Sequence, residues 1–207
     1  MTTHPFHSTG QLPPRPDEQS GQPRPPRAPR KFGGEEATPT DREPRKAPAP
    51  PQQQGPRLEW YQEGPVGALK MAAWALVIMF GALVLIWQGF EWISYWYNWL
   101  LPPVVASLIY FTSRKGWVAA GARWLQHKST WVDTYDLVEV AIGANGANQV
   151  LKLTDSAGRR IQTLPLRDVQ ENADLWDLVY NGILHSTVNG KANPPRGTRI
   201  ILKLPGA

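Results

Sequence analysis

The chain has 207 residues, a formal net charge of +5, 21 prolines, 10 tryptophans and no cysteine. Without cysteine there are no disulfides and no thiolate metal sites, which suits a reducing compartment. The basic excess is too thin, and too free of a recognisable reading element, for a specific nucleic-acid site; it fits the neighbourhood of anionic lipid.

Residues 1–57 hold 14 of the prolines together with Gln, Arg, Gly and Glu, and almost no aliphatic side chains. Such a stretch buries too little apolar surface to offset its ordering entropy, so the expectation is a disordered, proline-rich tail. Pro13-Pro14-Arg15-Pro16 and Pro23-Arg24-Pro25-Pro26-Arg27 have the form of segments that dock as polyproline helices in aromatic grooves. A solvated, proline-stiffened tether is the reading adopted. No apolar core lies within the first ~15–30 residues, where a signal peptide would carry it. The N-terminus is therefore expected to stay on the side of synthesis.

Residues 69–113 are expected to form a transmembrane hairpin, with spans at about 69–88 and 92–113. The first is an uninterrupted apolar run bounded by Lys70 and Trp87. About 20 residues at 1.5 Å each cover the ~30 Å hydrocarbon core. The second contains Asn98 and the pair Pro102–Pro103, which predicts a kinked span; an interfacial helix followed by a short re-entrant piece is the alternative. Trp92, Tyr95, Trp96 and Trp99 are spaced to share one helix face. Trp87, Trp92, Trp96 and Trp99 are accordingly the candidate membrane-interface residues. No Lys or Arg lies between Met71 and Ser113, whereas Lys70, Arg114 and Lys115 flank the spans. The expected location is the plasma (inner) membrane, and the positive-inside rule puts both termini in the cytoplasm and the turn at 88–91 outside. Arg114, Lys115, Arg123 and Lys128 are candidate contacts to anionic lipid.

Residues 117–204 read as a small α+β domain, an antiparallel sheet covered by one C-terminal helix. Val138, Val140 and Ile142 alternate with Glu139 and Ala141, and Leu151 and Leu153 flank Lys152. Asp155-Ser156-Ala157-Gly158 has type I turn chemistry and predicts a hairpin of 149–154 with 159–164. A second hairpin is expected for 122–127 and 130–134, turning at Lys128 and Ser129. Asn172 caps the expected helix, Asp174 and Asp177 suit its dipole, and Gly190 ends it. Ile200, Leu202 and Leu204 alternate in what reads as a closing strand.

The hairpin carrying Asp155, Gly158 and Arg159, followed by the Leu175-Trp176 helix, resembles bacterial pleckstrin-homology-like domains over residues 121–204. In small actinobacterial proteins such modules often follow two membrane spans, and the resemblance implies more strands than the pattern alone supplies. The Arg/Pro-rich tail and multi-Trp layout also look like accessory membrane proteins of actinobacterial conjugative elements.

No arrangement demands catalysis. His4 and His7 lie in the tail, and His127 and His185 read as structural or surface residues. Asp133 and Asp136 fall on opposite faces of an extended strand, and helix-start electrostatics accounts for Asp174 and Asp177. The glycine-containing run 143–147 lacks the Lys-Ser/Thr and helix of a phosphate loop, and Glu91 sits at a turn. The expectation is a non-enzymatic, membrane-anchored interaction or scaffold protein without cofactor or metal. Its partners would be the bilayer and a protein or a second copy; the alternative is an accessory role in conjugative DNA transfer.

Overall fold

The computed structural model describes residues 12–32, 49–62, 65–113, 116–146 and 148–205. Two compact units emerge, one formed by residues 62–116 and the other by the segments on either side.

In the larger unit β1 (Glu59–Gln62), β2 (Trp117–Ala120), β3 (Trp124–His127) and β4 (Thr130–Asp133) form a four-stranded sheet in that order. Leu58 N–H donates to Ala120 C=O at 2.9 Å beside the β1–β2 pair. The strand before the helical segment and the strand after it are thus neighbours. The β3–β4 hairpin turns at Lys128, whose φ of 55° is the left-handed geometry of a tight turn. Trp124 is buried in β3 and its indole N–H donates to Gly55 C=O at 3.0 Å.

A second, three-stranded antiparallel sheet contains β5 (Leu137–Asn145), β6 (Asn148–Asp155) and β7 (Arg160–Pro165). The expected turn joins β6 to β7: Gly158 N–H donates to Asp155 C=O at 3.0 Å, and Gly158 takes a φ of +80° that favours glycine. The Asp155 carboxylate is buried and receives Asp133 N–H, Arg159 N–H and Arg159 Nε, the last at 2.6 Å. The Arg159 guanidinium lies 3.5 Å over the Trp131 ring. One acid therefore ties β4 to the hairpin.

Three helices complete the unit: α3 (Leu166–Glu171), α4 (Ala173–Val188) and α5 (Arg196–Leu202), so the single covering helix of the expectation becomes three. The Asn172 side chain accepts from Asp174 and Leu175 N–H, which separates α3 from α4, and Gly190 follows the helix end with a φ of +72°. Gly182 brings α4 against Thr134, where an added Cβ would lie 2.5 Å from the Thr134 side chain. Leu125, Leu137, Leu151, Leu153, Leu164, Trp176 and Ile183 are fully enclosed in one core. Each such side chain contributes about 1.5–3 kcal/mol.

The expected closing strand is instead α5. Thr198 and Leu202, four apart, are buried, whereas Ile200 is 57% exposed. The alternation of Ile200, Leu202 and Leu204 imitated a strand because Leu204 packs after the helix has ended at Lys203, which has a φ of 52°. Thr198 Oγ1 accepts Ile142 N–H at 3.0 Å, supplying a partner to the edge strand β5.

The expectation of a disordered tail over residues 1–57 is corrected for the described parts. Residues 49–58 lead into β1, and residues 12–32 lie against the domain.

The smaller unit contains α1 (Pro65–Ile86), a 3-10 turn at Glu91–Ser94 and α2 (Trp96–Ser113). Residues Gly67–Ile86 are long and apolar enough to cross a membrane; among the described residues no other helix meets the same test. Lys70 lies within α1 rather than at its margin. Tyr95 is extended (φ −100°, ψ 112°), so Trp92 does not share a helix with Trp96 and Trp99. The expected four-residue helical face is therefore broken. Trp92 is buried between Phe80 and Trp99, at 5.6 and 5.4 Å between ring centres. α2 accommodates Pro102 and Pro103 within its length.

Candidate recognition groove on helix α4

Helix α4 is buried all round. Its core side is apolar, but Asp177, Asn181 and His185, spaced four apart, form a polar stripe whose members are 6%, 2% and 6% exposed. Buried polar groups need partners. Residues 12–32 supply one to each of the three, running as a strap antiparallel to the helix, and among the described residues only Asn181 Oδ1 of the stripe is left without a partner.

At the C-terminal end of α4, His185 Nε2 lies 2.7 Å from Pro13 C=O. A carbonyl only accepts, so Nε2 carries the hydrogen, and Nδ1 is left to accept from Arg15 Nε at 3.5 Å. Burial lowers the His185 pKa and the Arg15 charge reinforces this against the Pro13 contact. Asn181 Nδ2 donates to Pro14 C=O at 3.1 Å and to the Tyr135 hydroxyl at 2.9 Å. The Tyr135 ring lies 5.2 Å beneath the Arg15 guanidinium, and burial pushes its phenol up to about 12.

Between its two limbs the strap turns on Asp17, whose side chain accepts Gln19 and Ser20 N–H. Gly21, with a φ of +66°, lies against the Leu58 side chain. Glu18 pairs with Arg123 at 2.9 Å and Arg24 with Glu59 at 3.1 Å. Pro16 and Pro25 are buried.

At the N-terminal end of α4, Arg27 reaches Asp174 at 2.6 Å and Asp177 at 2.9 Å, while Ala28 N–H donates to Asp177 at 2.8 Å. Burial raises the Asp177 pKa, and the Ala28 and Arg27 contacts pull against it. Trp176 Nε1 donates to Pro29 C=O at 2.8 Å. Gln170 Oε1 receives Lys31 and Phe32 N–H at 3.0 and 3.1 Å. Leu12, Ala28 and Phe32 pack on the core.

Proline carbonyls held by indole, amide and imidazole donors, with arginines pairing to carboxylates, are the means by which extended proline-rich chains are read. The motif at residues 13–16 is held through its proline carbonyls and the motif at residues 23–27 through its arginines, each by the chain itself rather than left as a free tether. The sequence also contained the stripe 177/181/185, whose period of four marks it as one helix face. It resembled an ordinary solvated face, and nothing local reveals that residues about 150 positions away cover it.

The other candidates separate. Trp87 is half-buried and stacks 5.0 Å from Tyr95, Trp96 and Trp99 are exposed, and Trp92 is buried. Arg123 is engaged by Glu18 and Asp133, Lys128 occupies its turn, and Arg114 and Lys115 lie outside the described residues, as do His4 and His7. Asp136 pairs with Lys191 and Ser156, so it shares no site with Asp133. His127 is buried in β3, and desolvation, assisted by Lys128, pushes its pKa down to about 4. Among the described residues no three His, Asp or Glu side chains converge as metal ligands.

The chain matches no family model, no curated protein and no solved structure.

Proposed function

We propose that this is a non-enzymatic, membrane-anchored interaction protein whose folded domain recognises proline-rich, arginine-bearing segments along α4. The observation that carries the reading is the polar stripe on α4, whose Asp177, Asn181 and His185 each make one hydrogen bond with the backbone of residues 12–32. The seven strands among the described residues, in two sheets packed with α4, support the pleckstrin-homology-like part of the reading.

Anchoring by two spans is part of the proposal. β1 ends at Gln62 and β2 begins at Trp117, and these strands are neighbours in one sheet. A chain that leaves and re-enters the same folded unit crosses a bilayer an even number of times, so one crossing by α1 calls for a return. α2 supports that role. Its 18 residues extend about 27 Å, and Leu100, Leu101, Val104, Leu108 and Phe111 are all more than half exposed, an apolar surface that suits lipid. Lys70, Arg114 and Lys115 favour a cytoplasmic domain.

Crosslinking in native membranes followed by purification tests the reading: a stable protein partner or self-assembly is expected. Recovery of a strictly monomeric, partnerless chain would overturn it.

A further inference from the structure

We propose that the α4 groove also takes residues 12–32 of a second copy of this chain, so that neighbouring molecules exchange straps. This rests on the reading of α4 as a recognition groove. Apart from the strap's own turn at Asp17, every strap contact described above is made to a residue at position 55 or beyond: Gly21 to Leu58, Glu18 to Arg123, Arg27 to Asp174 and Asp177, Pro13 to His185. A second copy offers the same partners in the same arrangement. Exchange therefore conserves every contact, which makes swapping of an identical element inexpensive. The balance is left to linker entropy and local density.

Both favour exchange at a membrane. Sixteen residues, 33–48, separate the strap from the chain leading into β1, and apart from Pro39, Pro44 and Pro48 they include no apolar side chain larger than alanine. At roughly 3.3–3.6 Å per residue they reach at most about 50–60 Å. The radius of gyration expected for a domain of this size is about 15 Å, so the reach exceeds the domain's own width. Anchoring confines all copies to one surface, where the effective concentration of a neighbour's strap rises with density. The occupant is thus a segment of known sequence, read largely through its backbone and fixed in register by Arg15 and Arg27.

The absence of natural cysteine allows a direct test with the full-length chain in lipid vesicles. A28C and D174C are made singly and together, which leaves Asp177 intact, and are treated with a short bis-maleimide. The doubly substituted chain, dilute in lipid, is expected to form an internal bridge, reporting an occupied groove. Mixed single variants are expected to give dimers containing one of each, increasing with the protein-to-lipid ratio and lost when R27E is added to the A28C chain. Internal bridging without mixed dimers at any ratio overturns exchange and leaves the groove reading standing. Mixed dimers indifferent to R27E reflect collision and overturn it equally. Absence of both products overturns the groove reading itself.

Discussion

Asp155 shows how one side chain holds distant backbone in place. Its enclosed carboxylate serves two backbone N–H groups and the Arg159 guanidinium, so D155A strands three donors at once. Arg159 is 35% exposed and can turn to solvent, but a buried backbone donor left unpaired costs about 1–3 kcal/mol, and a loss of at least that order is expected in denaturant unfolding. A stability within 1 kcal/mol of the parent would contradict the assignment. Gly182 poses a cleaner contest. Helix propensity favours alanine there by ~1 kcal/mol, whereas the added methyl meets Thr134 and overpacking costs about 1–3 kcal/mol. G182A is expected to destabilise; any gain in melting temperature would show that Thr134 yields freely. His127 introduces pH. Its folded pKa of about 4 lies below the ordinary 6.5, so the unfolded chain takes up the proton first. The stability associated with the neutral ring is complete above pH 6.5 and declines as pH falls toward 4, by on the order of 2 kcal/mol at pH 5. His185 acts in the same direction, while the raised carboxyls of Glu59 and Asp177 oppose it. H127Q should therefore flatten the decline between pH 7 and 5; an unchanged slope would exclude His127 as its source.

Among the elements, the strap is held chiefly at its two ends, and the Arg27 end is the more polar. R27A leaves Asp177 buried with Ala28 N–H as its remaining strap partner. A charge-assisted hydrogen bond contributes about 1.5–3 kcal/mol, less here because Arg27 is 57% exposed. The variant should show faster proteolysis between residues 12 and 32 while the melting of the domain changes little; equal protection would show that Arg27 does not fasten the strap. What the sequence reveals divides along the range of the interactions. The β3–β4 and β6–β7 hairpins were legible because the Lys128-Ser129 pair and Asp155 with Gly158 specify turns locally, and α4 was legible from Asn172, its apolar stripe and Gly190. α5 was not, since seven residues are too few to separate a period of four from a period of two. β1 was hidden because Glu59–Gln62 is a short strand defined only by its pairing with β2. The groove was half legible: the proline motifs stood out, but the stripe that receives them becomes a site only once the two are brought together.

At the scale of the whole molecule, the pairing of β1 with β2 constrains the proposed membrane anchoring more tightly than hydropathy does. Length and composition single out α1, and α2 falls short because Asn98, two prolines and several aromatic residues dilute it. A single crossing would leave residues 12–62 and 117–205 on opposite sides, and the four-stranded sheet could not form. On the proposed anchoring, the stability of that sheet is coupled to the number of crossings. Trp124 and Leu125, buried in its third strand, make a divided sheet expensive. Single cysteines at Gln19, Gly89 and Arg196, introduced into the cysteine-free chain, convert this into a measurement. With an impermeant maleimide on intact cells, G89C should label while Q19C and R196C stay protected until the membrane is opened. Labelling of R196C alongside G89C, with Q19C protected, would mean one crossing, and would require the β1–β2 pairing to be given up along with the hairpin.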